Sequence, residues 1–428
     1  MRLLPAFAGL CLCAALPARA QEDPAGTGNP FDQGKFVPDI SLILDCSWLH
    51  RNVSNGGMEE LFIPGLVHAH GGADHGGHEH GEGRRGFNLN YAELVMASAV
   101  DPYFDLCGVF HLAEEGFGIE EAYFTTRRLP AGFRLRGGKF LSGFGRINEQ
   151  HAHNWDFAGA PLAYSAFFGD EMLNELGLRL TWVPPLDWYL VAGAEILQGS
   201  NETSFGSGGF ADPSGLTAVG ESRHPDLAVG YLRGSADIGE AALLAGVSAA
   251  FGKTRRDDGF SGEGDGHAVD GSTAILAGDL TLRYPMGPWQ YLALQGEFLH
   301  RSTDGTRLEK SAAGAVTLAG LETRQGGLYA QFTARLSREW RGGVRVDLLP
   351  LNTVRVDGMK EDLPQDLSRW AFMAEYNPTE FSRLRLQYDL DRSRFEPSPS
   401  GGSPQRKTVH QVRLQASITI GAHGAHAF

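Results

Sequence analysis

The stretch HQVRLQASITI, residues 410–420, decides the fold because apolar and polar residues alternate along it without interruption. A period of two residues is that of a β-strand, whose successive side chains point to opposite faces, and differs from the 3.6-residue period of a helix. The segment RLRLQYDLD, residues 383–391, alternates in the same way. The alternating positions of the first stretch are Val412, Leu414, Ala416, Ile418 and Ile420 on one face and Arg413, Gln415, Ser417 and Thr419 on the other.

The same alternation recurs along the chain from Pro38 onward and predicts an all-β protein. Sixteen strands are predicted, at residues 39–52, 86–100, 103–114, 116–128, 131–144, 174–183, 187–199, 225–239, 241–255, 272–285, 288–303, 325–339, 342–350, 367–377, 381–394 and 408–422.

The connections between these strands alternate in length and character. Short ones are flanked by aromatic residues, as in VDPYF (100–104), WVPPLDWY (182–189), YPMGPWQY (284–291) and YNPTEF (376–381). The others are mostly long and polar, at 53–85, 145–173, 200–224, 256–271, 304–324, 351–366 and 395–407, with a tight connection near Glu114 to Gly116 as the exception. This alternation is typical of a transmembrane antiparallel β-barrel with short periplasmic turns, long extracellular loops and interfacial aromatic residues.

A soluble β-sandwich or propeller is the alternative fold. Such folds also repeat short strands, but they do not place a long loop at every second connection or make one face of each strand apolar and the other charged. The sequence therefore favours a barrel of about 16 strands in the outer membrane of a Gram-negative cell, in contact with lipid and lipopolysaccharide.

The N-terminal residues and the composition agree with export. Residues 1–20 are predicted to be a signal peptide, with Arg2, the apolar run 3–16 and the Ala18-Arg19-Ala20 cleavage pattern. Residues 21–37 then form a short periplasmic segment, and residues 38–428 form the barrel. The formal net charge of −14 argues against binding of nucleic acid and suits cationic solutes.

Cys46 and Cys107 fall on opposite faces of non-adjacent predicted strands, so free thiols are expected.

The sixteen-strand pattern resembles that of bacterial porins, and the loop at 145–173 follows the fifth strand. The resemblance implies that this loop folds inward and narrows the channel. Its second half, Pro161 to Leu173, is predicted to begin a short helix, since proline suits a first helical position. Two interpretations of His151 and His153 in its first half stay open, a metal or solute site and a hydrogen-bonded anchor for the loop. The residues predicted to build this constriction are Asp156, Tyr164, Phe167 and Phe168.

Strand parity also predicts which charged residues face the lumen. The predicted pore-lining residues are Arg134, Arg136, Arg179, Asp279, Arg383, Arg385 and Asp389. Their signs are mixed, whereas a dedicated phosphate channel needs a run of unopposed arginines.

The segment HAHGGADHGGHEHGEG, residues 68–83, lies in the first long loop and carries His68, His70, His75, His78 and His80. Imidazole suits zinc, copper and nickel, and the glycines allow several histidines to converge on one ion. The spacing matches no fixed tetrahedral site, so exchangeable Zn²⁺ binding is expected and no tightly bound cofactor. A solvated spacer is the alternative. His423 and His426, near the periplasmic rim, are further candidate metal ligands.

Two segments resemble a known group of proteins. GKFLSGFGRINEQHAHNWDFAGAPLAYSAFFGDEMLNELGLRLTW (138–182) and IGAHGAHAF (420–428) resemble the zinc-regulated outer-membrane proteins often labelled TonB-dependent receptors, and more distantly the phosphate-selective porins. As in outer-membrane proteins generally, the resemblance implies that the terminal Phe428 is read by the assembly machinery. Fewer than twenty residues separate Gln21 from the first strand, so no TonB-type plug, which needs at least about 50 residues, is predicted.

Taken together, these features predict an outer-membrane channel for small solutes that assists divalent metal (zinc) uptake through its histidine-rich loop. The alternatives are a general or anion-preferring porin with incidental histidines, and a metal-binding surface protein anchored by its barrel. No Gly-x-Ser-x-Gly elbow or other catalytic set is found, so no enzymatic activity is expected. Whether the barrels form a trimer is left open.

Overall fold

The computed structural model describes residues 38–66, 83–113, 116–201, 203–398 and 403–421. Within them, sixteen antiparallel strands form one closed barrel, which confirms the predicted fold. The strands are β1 (Asp39–Arg51), β2 (Gly86–Ala99), β3 (Phe104–Ala113), β4 (Gly116–Thr126), β5 (Phe133–Leu141), β6 (Asn174–Trp182), β7 (Tyr189–Leu197), β8 (Leu227–Ile238), β9 (Ala241–Asp258), β10 (Gly266–Pro285), β11 (Tyr291–Lys310), β12 (Val316–Arg335), β13 (Trp340–Val356), β14 (Leu367–Thr379), β15 (Ser382–Asp391) and β16 (Val409–Gly421).

The barrel closes where its first and last strands pair. β1 is hydrogen-bonded to β2 on one side and to β16 on the other, with Ser41 opposite Gly421 and Arg51 opposite Gln411. β16 in turn pairs with β15. Because every wall strand has two neighbours, the backbone amides and carbonyls are paired within the wall, as hydrocarbon surroundings require.

The apolar face of each strand points outward. On β16, Leu414 and Ile418 are each 51% exposed, whereas Arg413 is 8% and Gln415 7% exposed. This arrangement is the inverse of a soluble protein, and continuous apolar surface of this kind is stable only against lipid. The exposed aromatic side chains at the short-turn end, where a girdle is expected, include Tyr103, Trp188, Trp289, Trp340 and Phe381.

Several strands extend beyond the predicted boundaries. The interpretations of 256–271 and 304–324 as long loops are wrong, because β9 to β12 continue through them and leave only 259–265 and 311–315 as connections. From the sequence, these added strand segments are expected to be loops because they are rich in Thr, Arg and Asp. Outside the bilayer both faces of a strand meet water, so polar residues can continue the ladder.

The remaining secondary structure is sparse. Helix α1 (Asn55–Glu59) lies in the first long connection, and helix α2 (Leu162–Phe168) lies in the second, between β5 and β6. Two-residue strands form small hairpins, Phe210–Ala211 with Ala218–Val219 and Phe395–Glu396 with Gln405–Arg406. A further two-residue strand, Met359–Lys360, pairs with the end of β13. None of the helices within the described ranges is long and apolar enough to cross a membrane.

Cys46 and Cys107, the two cysteines in the described part of the chain, are not joined in a disulfide, as expected. The predicted signal peptide, the segment 21–37, the histidines at 68, 70, 75, 78, 80, 423 and 426, and Phe428 lie outside the described residues.

Candidate functional site in the barrel lumen

The connection between β5 and β6, residues 142–173, lies inside the barrel and is called the constriction loop below. Phe144, Phe157, Tyr164 and Phe167 in this loop are all 0% exposed. A connection on the outer surface would leave such side chains in water. Their burial shows that the loop packs against the inner wall instead of covering the mouth from outside.

Buried acceptors on one side of the wall hold the start of the loop and α2. Glu297 on β11 accepts hydrogen bonds from the backbone N–H groups of Arg146 (2.7 Å) and Ile147 (3.0 Å) and from the hydroxyls of Tyr164 and Tyr329 (2.7 Å each). Both carboxylate oxygens are therefore used. A charged acceptor with several donors is a strong anchor, since such hydrogen bonds are stronger than neutral ones.

α2 begins beside another wall carboxylate. The helix begins at Leu162, one residue later than predicted, with Pro161 just before it, and Leu162 N donates to Asp347 Oδ1 at 2.9 Å. The carboxylate thus satisfies one of the unpaired N–H groups at the start of the helix. Phe167 and Phe168 lie on the helix and are buried against the wall and against Phe205.

Arginines on β13 to β15 bind the middle of the loop. Arg385 donates to the carbonyl of Trp155 (2.8 Å), and Arg383 donates to that of His153 (2.8 Å). Asp156 forms an ion pair with Arg341, which also binds Glu375. Each of these arginines forms an ion pair with a carboxylate or donates a hydrogen bond to a carbonyl. This side of the lumen is therefore a network of paired polar groups.

A second ion-pair network holds the loop to β6, β7 and β8. Glu149 Oε1 accepts from Arg179 and Glu149 Oε2 from Arg233, both at 2.7 Å, and Arg179 also binds Glu195. Burial raises the pKa of the Glu149 carboxyl, but the guanidinium groups of Arg233 and Arg179 outweigh burial and lower it to about 2. Glu149 is therefore a carboxylate at any physiological pH.

On the opposite side of the loop, histidines and carboxylates gather into a cluster. This histidine–carboxylate cluster consists of Glu93 on β2, His111 on β3, Glu120 and Glu121 on β4, and His151 and His153 in the constriction loop.

Three short contacts define the cluster. His151 Nδ1 lies 3.1 Å from Glu120 Oε2 and 3.7 Å from Glu93 Oε2, while its Nε2 lies 2.9 Å from Glu121 Oε2. Burial lowers the pKa of His151, but the carboxylates of Glu120 and Glu93 outweigh burial and raise it well above its usual range. The structure therefore joins His151 to carboxylates from two different strands.

The other two imidazoles surround the same oxygens. His111 Nε2 lies 2.7 Å from Glu120 Oε2 and 3.5 Å from Glu93 Oε2, and His153 Nδ1 lies 3.2 Å from Glu93 Oε2. The rings of His151 and His153 stack with centroids 5.6 Å apart, and His111 stacks on Tyr91 at 5.5 Å. Ring packing thus fixes the orientation of all three imidazoles.

Two β-bulges bring the carboxylates inward. Along β2 the register shifts beside Asn90, so that Leu89 faces outward while Glu93, which has the same parity, is buried in the lumen. Along β4 the register shifts at Glu120, which lets the adjacent Glu120 and Glu121 both reach His151. A bulge places two residues opposite one and redirects the side chains that follow.

Sequence reasoning flagged His151 and His153 but missed the other four members. Strict alternation puts Glu93 on the same face as Phe87 and Leu89, and it puts Glu120 and Glu121 on opposite faces. Their shared orientation toward the lumen arises from the bulges, so alternation alone does not predict it. His111 could have been found, because it shares the parity of Asp105, which points into the lumen by the same rule.

The remaining predicted pore-lining residues occupy different surroundings. Asp279 and Asp389 are buried, and Gln387 donates to Asp389 at 2.8 Å. Arg136 lies with its guanidinium carbon 4.0 Å from the centre of the Tyr123 ring, and Arg134 is exposed.

The first long connection also enters the mouth of the barrel. Ile63 and Leu66 belong to the same apolar core as Phe144 and Tyr164. The carbonyls of Pro64 and Gly65 accept hydrogen bonds from Asn352 (2.7 Å) and Gln325 (2.5 Å) on the wall. The chain that leads into the histidine-rich segment is therefore anchored inside the mouth.

Comparison with known proteins identifies a relative and a fold. No family model matches the chain. An uncharacterized protein of Aquifex aeolicus (strain VF5) is 45% identical over 400 residues, which cover 94% of this chain and 82% of the relative. The chain belongs to the family of that protein.

Two solved structures share the barrel. The loop L8 deletion mutant of OmpT from Vibrio cholerae is 10% identical, with a TM-score of 0.50, over 90% of this chain and 99% of its own. The anion-selective porin from Comamonas acidovorans is 12% identical, also with a TM-score of 0.50 and the same coverage. These likenesses concern the fold alone. The shared fold and the outward apolar face agree with the predicted location of the barrel in the outer membrane.

Proposed function

We propose that the protein is an outer-membrane channel for small solutes, with the constriction loop setting the upper size limit. The observation that carries this proposal is the attachment of the loop to the wall on several sides, through Glu297, Asp347, Arg385 and Glu149. A sixteen-stranded barrel without such a loop leaves a wide aqueous channel. A firmly anchored loop narrows that channel and limits passage to small molecules.

A liposome-swelling assay with sugars of increasing size tests this proposal. Liposomes that contain the purified protein should swell in a monosaccharide but not in large oligosaccharides, while protein-free liposomes should swell in neither. Absence of swelling in every solute would favour the alternative of a barrel that serves only as an anchor.

The paired charges of the lumen argue against a dedicated anion channel. Arg341 and Arg345 in the described part of the wall each contact a carboxylate, Asp156 and Asp347 respectively, so neither adds to a run of unopposed arginines. We propose a general channel with a weak cation preference, and no enzymatic activity. A reversal potential indicating strong phosphate selectivity would favour the anion-preferring porin.

The zinc part of the function rests on sequence. We propose that His68, His70, His75, His78 and His80 capture exchangeable Zn²⁺ at the mouth, supported by the imidazole chemistry and by the anchoring of Pro64 and Gly65. Cells that carry the five-alanine variant should accumulate less zinc than wild-type cells under zinc limitation. Equal accumulation, with equal zinc binding by the purified proteins, would identify the segment as a spacer.

A further inference from the structure

We propose that the histidine–carboxylate cluster is a binding site for one divalent first-row transition-metal ion, with Glu93, Glu120 and His151 as its ligands. The site is separate from the histidine-rich segment and does not depend on channel function. It joins the constriction loop to the wall at β2 and β4.

The first argument is the spacing of the three ligand atoms. One oxygen from each carboxylate and one nitrogen of His151 lie within 4.8 Å of one another. Zn²⁺ binds such ligands tetrahedrally at about 2.0–2.2 Å, which implies ligand atoms about 3.4 Å apart. The separations of 3.1 and 3.7 Å from His151 Nδ1 to the two oxygens bracket this value.

The second argument concerns Glu93. Its Oε2 lies within 3.2–3.7 Å of nitrogens from all three imidazoles, whereas its buried Oε1 has no hydrogen-bond partner. A network held by hydrogen bonds alone would use both oxygens, because an unsatisfied buried acceptor is costly. Convergence of several donors on one oxygen is the arrangement expected around a shared ion.

The third argument is the support behind His151. Its Nε2 is bound to Glu121 Oε2, and Glu121 Oε1 accepts a hydrogen bond from Leu141 N at 2.8 Å. A carboxylate that holds the second nitrogen of an imidazole is the usual partner of a metal-binding histidine, since it fixes the ring and raises its basicity. Glu121 is thus a positioning residue for the proposed ligand.

The donor atoms define the class of ion. Imidazole nitrogen with carboxylate oxygen suits Zn²⁺, Mn²⁺, Co²⁺ and related divalent ions, whereas Ca²⁺ and Mg²⁺ prefer oxygen alone and Cu⁺ prefers sulfur. His111 Nε2, at 3.5 Å from Glu93 Oε2, is close enough to complete the ligand set.

The test uses full-length protein in detergent with His68, His70, His75, His78 and His80 changed to alanine, so that the histidine-rich segment contributes no ligand. Zn²⁺ binding is measured by competition with a chromophoric chelator, and Co²⁺ binding by its visible absorption. This parent protein should bind one equivalent of either ion at the cluster.

Four variants of the parent separate the possible outcomes. Glu93→Gln and Glu120→Gln keep side-chain volume and should weaken Zn²⁺ binding by about 100-fold or more, and Glu121→Gln by about 10-fold, as for groups that orient a ligand. His410→Ala, on the exposed face of β16, should leave affinity and the Co²⁺ spectrum unchanged. Folding of each variant is checked by its altered gel mobility without boiling.

Two results would overturn the proposal. One is a folded parent that binds no Zn²⁺ or Co²⁺. The other is equal affinity in the parent, Glu93→Gln, Glu120→Gln and His410→Ala, which would leave the cluster as an ion-pair anchor for the loop.

Discussion

The attachment of the constriction loop to the barrel wall depends most clearly on Glu297. Its carboxylate accepts four hydrogen bonds, three of them buried, and two of the donors are backbone N–H groups of the loop. In Glu297→Gln the amide nitrogen cannot accept, so the donors beside it lose their partner at a cost of about 1–3 kcal/mol each. The loop of this variant should therefore leave the wall more often.

Trypsin can report this change, because Arg146 is the sole Lys or Arg in residues 142–173. Cleavage after Arg146 should be faster in folded Glu297→Gln than in wild type. The matched control is Glu309→Gln on the same strand, where the side chain is 52% exposed and its change should not affect cleavage. Equal cleavage rates in all three proteins would show that Glu297 does not hold the loop.

At the same scale, the candidate site was only partly predictable. His151 and His153 stand out in the sequence because they flank a single alanine in a loop expected to fold inward. Glu93 and Glu120 do not, because their inward orientation arises from register shifts in β2 and β4. A bulge depends on the pairing of two strands, and alternation within a single strand carries no signal of it.

At the scale of elements, all sixteen strands could be predicted, because hydrocarbon outside and water inside impose the two-residue alternation on each. The extracellular ends of β9 to β12 could not be predicted from the sequence. Asp304 and Arg324 belong to paired strands although the sequence places them in a predicted loop, since no lipid demands an apolar face there. The inward path of the constriction loop is expected from its position after the fifth strand, and the aromatic residues of the loop agree with it.

The extended hairpin of β11 and β12 offers a test of orientation. An epitope inserted at Gly314, whose turn has open space around it, should be recognised by antibody on intact cells. The same epitope at Gly287, in the short turn between β10 and β11, should be recognised only after the outer membrane is permeabilised. Labelling of Gly287 but not Gly314 on intact cells would mean that the barrel is inserted the other way.

At the scale of the whole molecule, the decisive feature is the inversion of polarity across the wall. Leu414 and Ile418 face outward, and Arg413 and Gln415 are buried within. Such a barrel is stable only in a membrane, and its polar interior supports the passage of water and ions. In the proposed channel, the constriction loop determines how large a current can pass.

Single-channel recording of the purified full-length protein in a planar bilayer tests this account most directly. We expect discrete current steps with a weak cation preference that fades near 1 M salt, where the screening length is about 3 Å. The steps should be larger in Glu297→Gln than in wild type. A bilayer that holds folded protein, shown by its altered gel mobility without boiling, yet passes no current at any voltage would contradict the channel.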